Sequence, residues 1–261
     1  MVLFYVAVGL FGCFIGSFLN VVIWRVPRGE SVVTPRSACT SCGNVIRWLH
    51  NIPVLSWLFL RGKCAYCGQR ISARYPLVEL ATGISFAGVT IWAGLTWALP
   101  AYLWLAAISI ALSLIDWDTK TLPNRIVFPS YPVSLALLAL AAWTPGGEPA
   151  WGRALDALIC AAALLVLYFL IWWFFPGGMG FGDVKLAGLV GLHLGFIGIG
   201  VTVVGTFAAF FFGGSIAIAL LVLKKVGRKT QLPFGPWMLI GAWFGIFWGS
   251  ATWEWYLSVA L

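Results

Sequence analysis

Long apolar segments alternate with short polar connections along nearly the whole chain, a pattern typical of a bundle of membrane-spanning helices. A hydrocarbon core of about 30 Å requires roughly 17 to 25 predominantly apolar residues per helix. The pattern predicts an all-α polytopic membrane protein of about eight transmembrane helices, of which the third and sixth are short. The predicted spans are Val2 to Trp24, Leu77 to Trp97, Ala101 to Ile115, Ile126 to Ala142, Leu155 to Phe175, Val184 to Ile199, Gly200 to Leu223 and Pro236 to Val259.

Two of these boundaries need an argument beyond apolar length. The break between the sixth and seventh spans is placed at the glycines from Gly198 to Gly200. The first span is too long for the core of a signal peptide, and it lacks a basic leader and a small-residue cleavage site. We therefore expect it to remain as a membrane helix.

Composition separates a membrane protein from a soluble one. Hydrophobic residues make up 61% of the chain and charged residues 9%, and a soluble domain of this size has too little interior to hide that much apolar surface. The 16 lysines and arginines give a net charge of +8. They are spread over several connections, with no evident aromatic surface on which bases could stack. This distribution disfavours nucleic-acid binding.

The distribution of basic residues predicts the orientation. All of them except Arg153 fall in alternate connections between the predicted spans or, in the case of Lys185, at the adjoining end of a span. By the positive-inside rule those connections are cytoplasmic. Both chain ends are then expected on the outer side of the membrane.

Four of the six cysteines lie in the largest connection, from Arg25 to Pro76, as two Cys-x2-Cys pairs. A glycine follows each pair, and it allows backbone amides to turn toward the sulfurs. Four thiolates suit a closed tetrahedral Zn2+ site of the structural type. The proposed ligands are Cys39, Cys42, Cys64 and Cys67.

Two disulfides are the alternative for these cysteines, and a reducing cytosolic location disfavours them. A zinc ion would supply folding energy to a connection too small and polar to build much of a core. Cys13 and Cys160 fall within apolar segments, where small packing residues are the simplest interpretation.

Two aspartates stand at the boundaries of apolar segments, in a chain with only eight carboxylates. Asp116 follows the third span, and Asp183 closes the segment Gly180-Phe181-Gly182-Asp183 before the sixth. Ionisable residues near the bilayer are costly and therefore tend to be functional. Two carboxylates at matching depth suggest an aspartyl dyad.

Taken in order along the chain, these motifs resemble the type IV prepilin leader peptidases. That family consists of bifunctional membrane enzymes that cleave the leader of prepilins and pseudopilins and methylate the new N-terminus. The paired Cys-x2-Cys connection belongs to the resemblance, which spans nearly the whole chain. Its other segments are Gly16-Ser17-Phe18-Leu19-Asn20-Val21-Val22-Ile23-Trp24-Arg25-Val26-Pro27, Ser72-Ala73-Arg74-Tyr75-Pro76-Leu77-Val78-Glu79-Leu80, Asp116 to Asn124, Gly180-Phe181-Gly182-Asp183-Val184-Lys185 and Pro233-Phe234-Gly235-Pro236.

The resemblance implies that Asp116 and Asp183 are the catalytic aspartates. Asp118 competes with Asp116 for the role of first catalytic aspartate, and residue spacing alone does not decide between them. In the family pattern the first aspartate lies six residues before an apolar residue that precedes proline. This pattern selects Asp116. Gly180 and Gly182 permit close backbone approach. An extended substrate strand is therefore expected beside Asp183.

The resemblance also implies a methyl donor, a class of substrate and a side of cleavage, none of which follows from the residues alone. S-adenosylmethionine is the implied methyl donor, although the sequence shows no glycine-rich dinucleotide-type loop for it. The implied substrates are prepilins or pseudopilins, whose basic leader ends in glycine and precedes an apolar helix. Cleavage is expected on the cytoplasmic side.

Three further polar residues have competing interpretations. Glu79 either pairs with Arg74 or faces a polar cavity. Lys185 either steadies a carboxylate of the site or extends to the lipid headgroups. His193 is favoured as a hydrogen-bonded packing residue, because no nucleophile lies near it in the sequence.

Three segments are expected to form the protein: a first helix over residues 1–24, a cysteine-containing cytoplasmic domain over 25–76, and a membrane protease core over 77–261. Two other functions compete with the family interpretation. An intramembrane aspartyl protease without methylation shares the dyad, but it needs no zinc connection. A proton-coupled transporter uses intramembrane aspartates, but the boundary position of Asp116 and Asp183 and the glycine frame count against it.

Overall fold

A computed structural model describes residues 1–224 and 232–260. The basic residues Lys225, Arg228 and Lys229, which contribute to the predicted orientation, lie outside the described residues. The regular structure of the described chain is helical. The α-helices are α1 (Val2–Arg25), α2 (Leu55–Phe59), α3 (Arg74–Ala93), α4 (Leu99–Thr119), α5 (Asn124–Trp143), α6 (Trp151–Phe174), α7 (Phe181–Ile197), α8 (Ile199–Val222) and α9 (Gly235–Ala260).

A long helix lies at each of the eight predicted spans. Six of them, α1, α3, α4, α5, α6 and α8, are long and apolar enough to cross a membrane. Helix α7 has 17 residues, or roughly 25 Å of length, and α9 has 26; neither belongs to that set. The all-helical, multi-pass architecture is confirmed, whereas the count of eight spans stays a prediction.

The aspartate-bearing helices are longer than their apolar runs. Helix α4 continues through Asp116 to Thr119 and ends where Lys120 adopts a left-handed conformation, with φ 55°. Helix α7 begins at Phe181, two residues before Asp183. Each aspartate therefore lies inside a terminal helical turn, where the backbone fixes its direction.

The described chain divides into two compact units. The first comprises Met1–Leu95 together with Ala106–Ala111, and the second comprises Thr96–Leu105 and the chain from Leu112 onward. The first unit contains the four clustered cysteines, and the second contains both candidate aspartates. Each unit has its own helix packing.

In the first unit, small residues bring α1 and α3 together. A Cβ atom added to Gly16 would lie 2.6 Å from the Cα of Glu79, so only glycine fits at this crossing. Cys13 contacts Gly83 of α3 in the same interface. Its packing role agrees with the expectation for a small residue in an apolar helix.

In the second unit, glycines bring α6 against α7 and α8 against α9. A Cβ on Gly191 would lie 2.7 Å from the Cα of Ala161, and one on Gly241 would lie 2.6 Å from the carbonyl oxygen of Gly205. Small residues at these positions let the helix backbones approach closely. At Gly214 of α8, by contrast, a Cβ would meet open space.

Candidate active site and metal centre

Asp183 is held by the start of α7. Gly180 precedes the helix, and its backbone N–H donates to Asp183 Oδ2 over 3.1 Å. Asp183 is 6% exposed. A negative charge in the first turn interacts favourably with the helix dipole, so this position tolerates a carboxylate that burial would otherwise disfavour.

Asp116 is held by a different helix. It lies in the last turn of α4 and is 4% exposed. Its Oδ2 accepts a hydrogen bond of 3.0 Å from the backbone N–H of Gly235, the first residue of α9. A Cβ on Gly235 would lie 2.8 Å from the same oxygen, so glycine is required for this approach.

The connection after α4 brings the two carboxylates into one site. Leu122 lies against Gly182, next to Asp183, and also against Gly235, next to Asp116. The carboxylates are close enough for Asp116 to act electrostatically on Asp183. Both aspartates therefore belong to one buried cluster of the second unit.

Asp118 differs from both in its environment. It lies two residues after Asp116 in the same helical turn, and its side chain is exposed. It interacts with other groups, but burial beside the glycine frame distinguishes Asp116 and Asp183. This difference supports the choice of Asp116 over Asp118.

Neither Gly180 nor Gly182 has a backbone conformation that requires glycine, so what matters at these positions is the absence of a side chain. Gly180 has φ −79° and ψ 149°, which other residues also adopt. A Cβ on Gly182 would lie 3.0 Å from the Cβ of Leu122. At Gly182 the close neighbour is Leu122 of the same chain, and the approach of a substrate strand stays a prediction.

The ammonium of Lys185 donates to Asn124 Oδ1 over 2.5 Å. The rings of Phe181 and Phe128 flank it at 5.2 and 5.4 Å. Tyr131 of α5 donates to the carbonyl oxygen of Lys185 over 2.6 Å. Lys185 therefore joins α5 to the first turns of α7.

Sequence reasoning assigned no site contact to several residues of this cluster. Leu122, Asn124 and Gly235 lie in segments that carry the resemblance, but their contacts depend on backbone groups and packing across distant segments. Tyr168 of α6 is also buried and packs its ring 6.3 Å from that of Phe234, next to Gly235. The segment Pro233 to Pro236 was noticed only as part of a resemblance.

Two other predicted residues have structural contacts. Glu79 accepts a 2.7 Å hydrogen bond from the backbone N–H of Val54 and is also hydrogen-bonded to Ser17. It thereby fastens the connection between α1 and α3 to both helices. His193 is fully buried, with Nδ1 2.9 Å from the carbonyl oxygen of Leu189, which agrees with a hydrogen-bonded packing role.

The four clustered cysteines lie on two similar turns of the first unit. The N–H of Gly43 donates to the carbonyl of Cys39 over 2.9 Å, and that of Gly68 donates to Cys64 over 3.0 Å. Both glycines have φ 70°, a left-handed conformation that favours glycine. The predicted role of each glycine in turning the chain is confirmed.

The cysteine geometry fits a metal ion. The four Sγ atoms lie within 4.8 Å of one another, and those of Cys39 and Cys67 are 3.8 Å apart. A tetrahedral zinc ion with bonds of about 2.3 Å places its sulfurs roughly 3.8 Å apart. All six cysteines are free, so the structure favours the metal site over two disulfides.

The four sulfurs do not ionise alike. Amide groups of Cys42 and Ser41 hydrogen-bond to the Cys39 sulfur and lower the pKa of Cys39 to about 6. The backbone of Gln69 acts to lower the pKa of Cys67, but desolvation and hydrogen bonds to the neighbouring sulfurs raise it to about 11. Thiolates gathered this closely repel one another unless a cation neutralises them. The donor set is therefore compatible with Zn2+.

Fold and site together define a polytopic membrane protein with one buried pair of carboxylates and a separate four-cysteine centre. Residues 10–93 match the bacterial peptidase A24 N-terminal domain, and residues 103–223 match the type IV leader peptidase family. No solved structure matches the chain significantly. The family matches cover both units.

Several similar proteins are named prepilin leader peptidase/N-methyltransferase. The one from Aeromonas salmonicida strain A449 is 35% identical, with 99% of this chain and 96% of the relative covered. The proteins from Pseudomonas aeruginosa and Neisseria gonorrhoeae are 34% and 32% identical, with 96% and 95% of this chain and 92% of each relative covered. The chain belongs to the type IV leader peptidase family, a family of proteases.

Substituting Gly182 tests the close packing at the aspartates. We expect Gly182→Val to reduce leader cleavage by about 10- to 100-fold, because a displacement of the order of 1 Å in a catalytic group has this effect. The matched control is Gly214→Val, where a Cβ meets open space in α8. The measurement is the initial cleavage rate at equal membrane protein level. Equal rates for both variants would contradict a packing constraint at Gly182.

Proposed function

We propose that this protein cleaves the leader of type IV prepilins or pseudopilins after glycine and then methylates the new N-terminal residue. The observation that carries the proposal is the buried pair Asp116 and Asp183, next to Gly182, in a member of a leader peptidase family. The names of the relatives support both reactions. S-adenosylmethionine is the proposed methyl donor.

The proposed reaction needs only the two carboxylates and a water. Two carboxylates in one buried site do not both ionise easily, so they share a proton. The ionised carboxylate removes a proton from water, while the protonated one donates a hydrogen bond to the scissile carbonyl. The resulting tetrahedral intermediate collapses as the C–N bond breaks and the leaving amine receives a proton, without an acyl-enzyme.

The substrate enters this reaction in an extended form. A helix keeps its peptide bonds inside its own hydrogen-bond ladder, so the segment at the scissile glycine must unwind before water reaches it. The strand is placed beside Asp183, next to Leu122, which packs against Gly182. The apolar helix of the substrate stays in the bilayer.

The proposed arrangement in the membrane has eight spans, with α7 and α9 crossing beside the six more apolar helices. The protein is a multi-pass inner-membrane protein of a bacterium, with both termini on the periplasmic side. The positive-inside rule supports this orientation. It places both aspartates near the cytoplasmic surface, where water and the leader have access.

We assign separate functions to three segments of the chain: residues 1–24, 25–76 and 77–261. Cys39, Cys42, Cys64 and Cys67 would hold a structural Zn2+, and residues 77–261 would carry the protease. The methyltransferase reaction is assigned to the connection between α1 and α3 with the adjacent helix ends. Their contacts assign no individual residue to the methyl donor.

Purified protein incubated with a prepilin and methyl-labelled S-adenosylmethionine tests the proposal. We expect two products of one incubation: a released leader and label on the shortened pilin. Cleavage without label would identify a protease that lacks methylation. An intact prepilin with no label would contradict the proposed enzyme and favour the transporter alternative.

A further inference from the structure

A groove of about 1110 Å³ lies in the first unit, between α1 and the connection that follows it. On α1 it is lined by Phe14, Phe18, Val21 and Arg25, whose spacing places them on one face of the helix. The opposite face, with Gly16, packs against α3. The groove therefore uses the face of α1 that is free of α3.

The α1 side of this groove is apolar over most of its length. Phe14 and Phe18 are 60% and 51% exposed, and α1 is long and apolar enough to cross a membrane. From Phe14 to Arg25 the helix rises by roughly 16 Å. The groove thus runs from the hydrocarbon depth of the bilayer toward its polar surface.

The polar end of the groove carries three arginines. Arg25 is already engaged, because its guanidinium donates to the carbonyl oxygens of Ser31 and Pro35 over 2.9 and 2.8 Å. Arg36 and Arg47 are exposed, and no hydrogen bond joins their guanidinium groups to the described residues. No carboxylate is among the groove's lining residues in the described chain.

We propose that this groove binds an anionic phospholipid. The headgroup phosphate lies at Arg36 and Arg47, whose guanidinium groups match phosphate oxygens in charge and geometry, and an acyl chain lies along Phe14 and Phe18. Basic pockets beside membrane helices are suited to anionic headgroups. S-adenosylmethionine fits less well, because its sulfonium and ammonium groups are cations and the lining adds only positive charge.

Lipid binding to the full-length protein tests this site. The protein is purified, stripped of lipid, returned to phosphatidylcholine with increasing phosphatidylglycerol, and examined by native mass spectrometry. The variant Arg36→Gln/Arg47→Gln should bind phosphatidylglycerol about 30-fold more weakly, since each of the two basic residues near an anionic headgroup contributes about fivefold. The matched control is Lys63→Gln/Arg70→Gln, which removes the same charge from exposed residues outside the groove.

A second variant, Ser37→Glu, leaves both arginines in place and adds a negative charge to the lining. It should weaken phosphatidylglycerol binding as well, and the zinc content of every variant reports whether the cysteine turns remain folded. Equal weakening by the control pair would overturn the proposal in favour of diffuse charge attraction. Displacement of phosphatidylglycerol by inorganic phosphate or by S-adenosylhomocysteine at matched concentration would also overturn it and identify a soluble ligand instead.

Discussion

Replacing Asp183 or Asp116 with asparagine should lower the rate of leader cleavage by at least about 10³-fold. The amide oxygen of asparagine still accepts the N–H of Gly180 or Gly235, so each local contact persists. The amide cannot carry the shared proton, so water activation fails. The measurement is the cleavage rate of a prepilin by variants purified at equal yield.

The control for this prediction is Asp118→Asn. Asp118 is exposed in the same helical turn as Asp116, and the substitution removes the same charge from the same segment. We expect it to retain substantial activity. An inactive Asp118→Asn together with an active Asp116→Asn would reverse the assignment of the first carboxylate.

Replacing Cys64 with serine should remove the bound zinc and unfold the connection between α1 and α3. The wild-type protein should contain one Zn2+ per chain, and loss of one ligand should lower this at least about tenfold, because structural zinc binding supplies folding free energy of roughly 10 kcal/mol or more. Metal analysis and limited proteolysis of residues 26–73 measure the two effects. The membrane helices should remain intact.

Cys160→Ser is the matched control for the cysteine prediction. Cys160 is buried against Gly195 in the second unit, so its replacement changes a cysteine without touching the four clustered sulfurs. It should leave the zinc content unchanged. A wild-type protein without zinc that contains two disulfides after reducing purification would contradict the metal site.

Helix positions were largely predictable, because apolar periodicity and length are local properties of the sequence. The break at Gly198 is confirmed: α7 ends at Ile197 and α8 begins at Ile199. The helices are not identical with the predicted apolar spans, since α4 continues past Ile115 to Thr119 and α7 begins at Phe181, before Val184. Helical hydrogen bonding continues through Asp116, and hydropathy does not register this.

The candidate aspartates were predictable because charge is rare in this chain. The groups that hold their side chains in place were not predictable. Gly235 lies 119 residues from Asp116 and supplies only a backbone N–H. Lys185 offered two plausible partners, and its contact with Asn124 spans 61 residues. Such contacts depend on tertiary packing, which a single sequence does not display.

The partner of Glu79, in the first unit, was likewise not predictable from the sequence. Its nearest basic residue in the sequence, Arg74, was the obvious partner, yet its carboxylate accepts the N–H of Val54. A carboxylate within a membrane helix pair requires a local donor, and backbone groups carry no sequence signature. The cysteine turns were easier, because ligand type, spacing and the following glycines all lie within short segments.

Photo-crosslinking shows directly where the scissile bond binds. A prepilin with a photoreactive residue next to the scissile glycine is bound to the inactive Asp183→Asn variant, irradiated and mapped by mass spectrometry. We expect crosslinks to residues 116–122 and 180–184, on the two segments that meet at Leu122. Crosslinks confined to residues 25–76 would place the scissile bond away from Asp116 and Asp183 and contradict their role in cleavage.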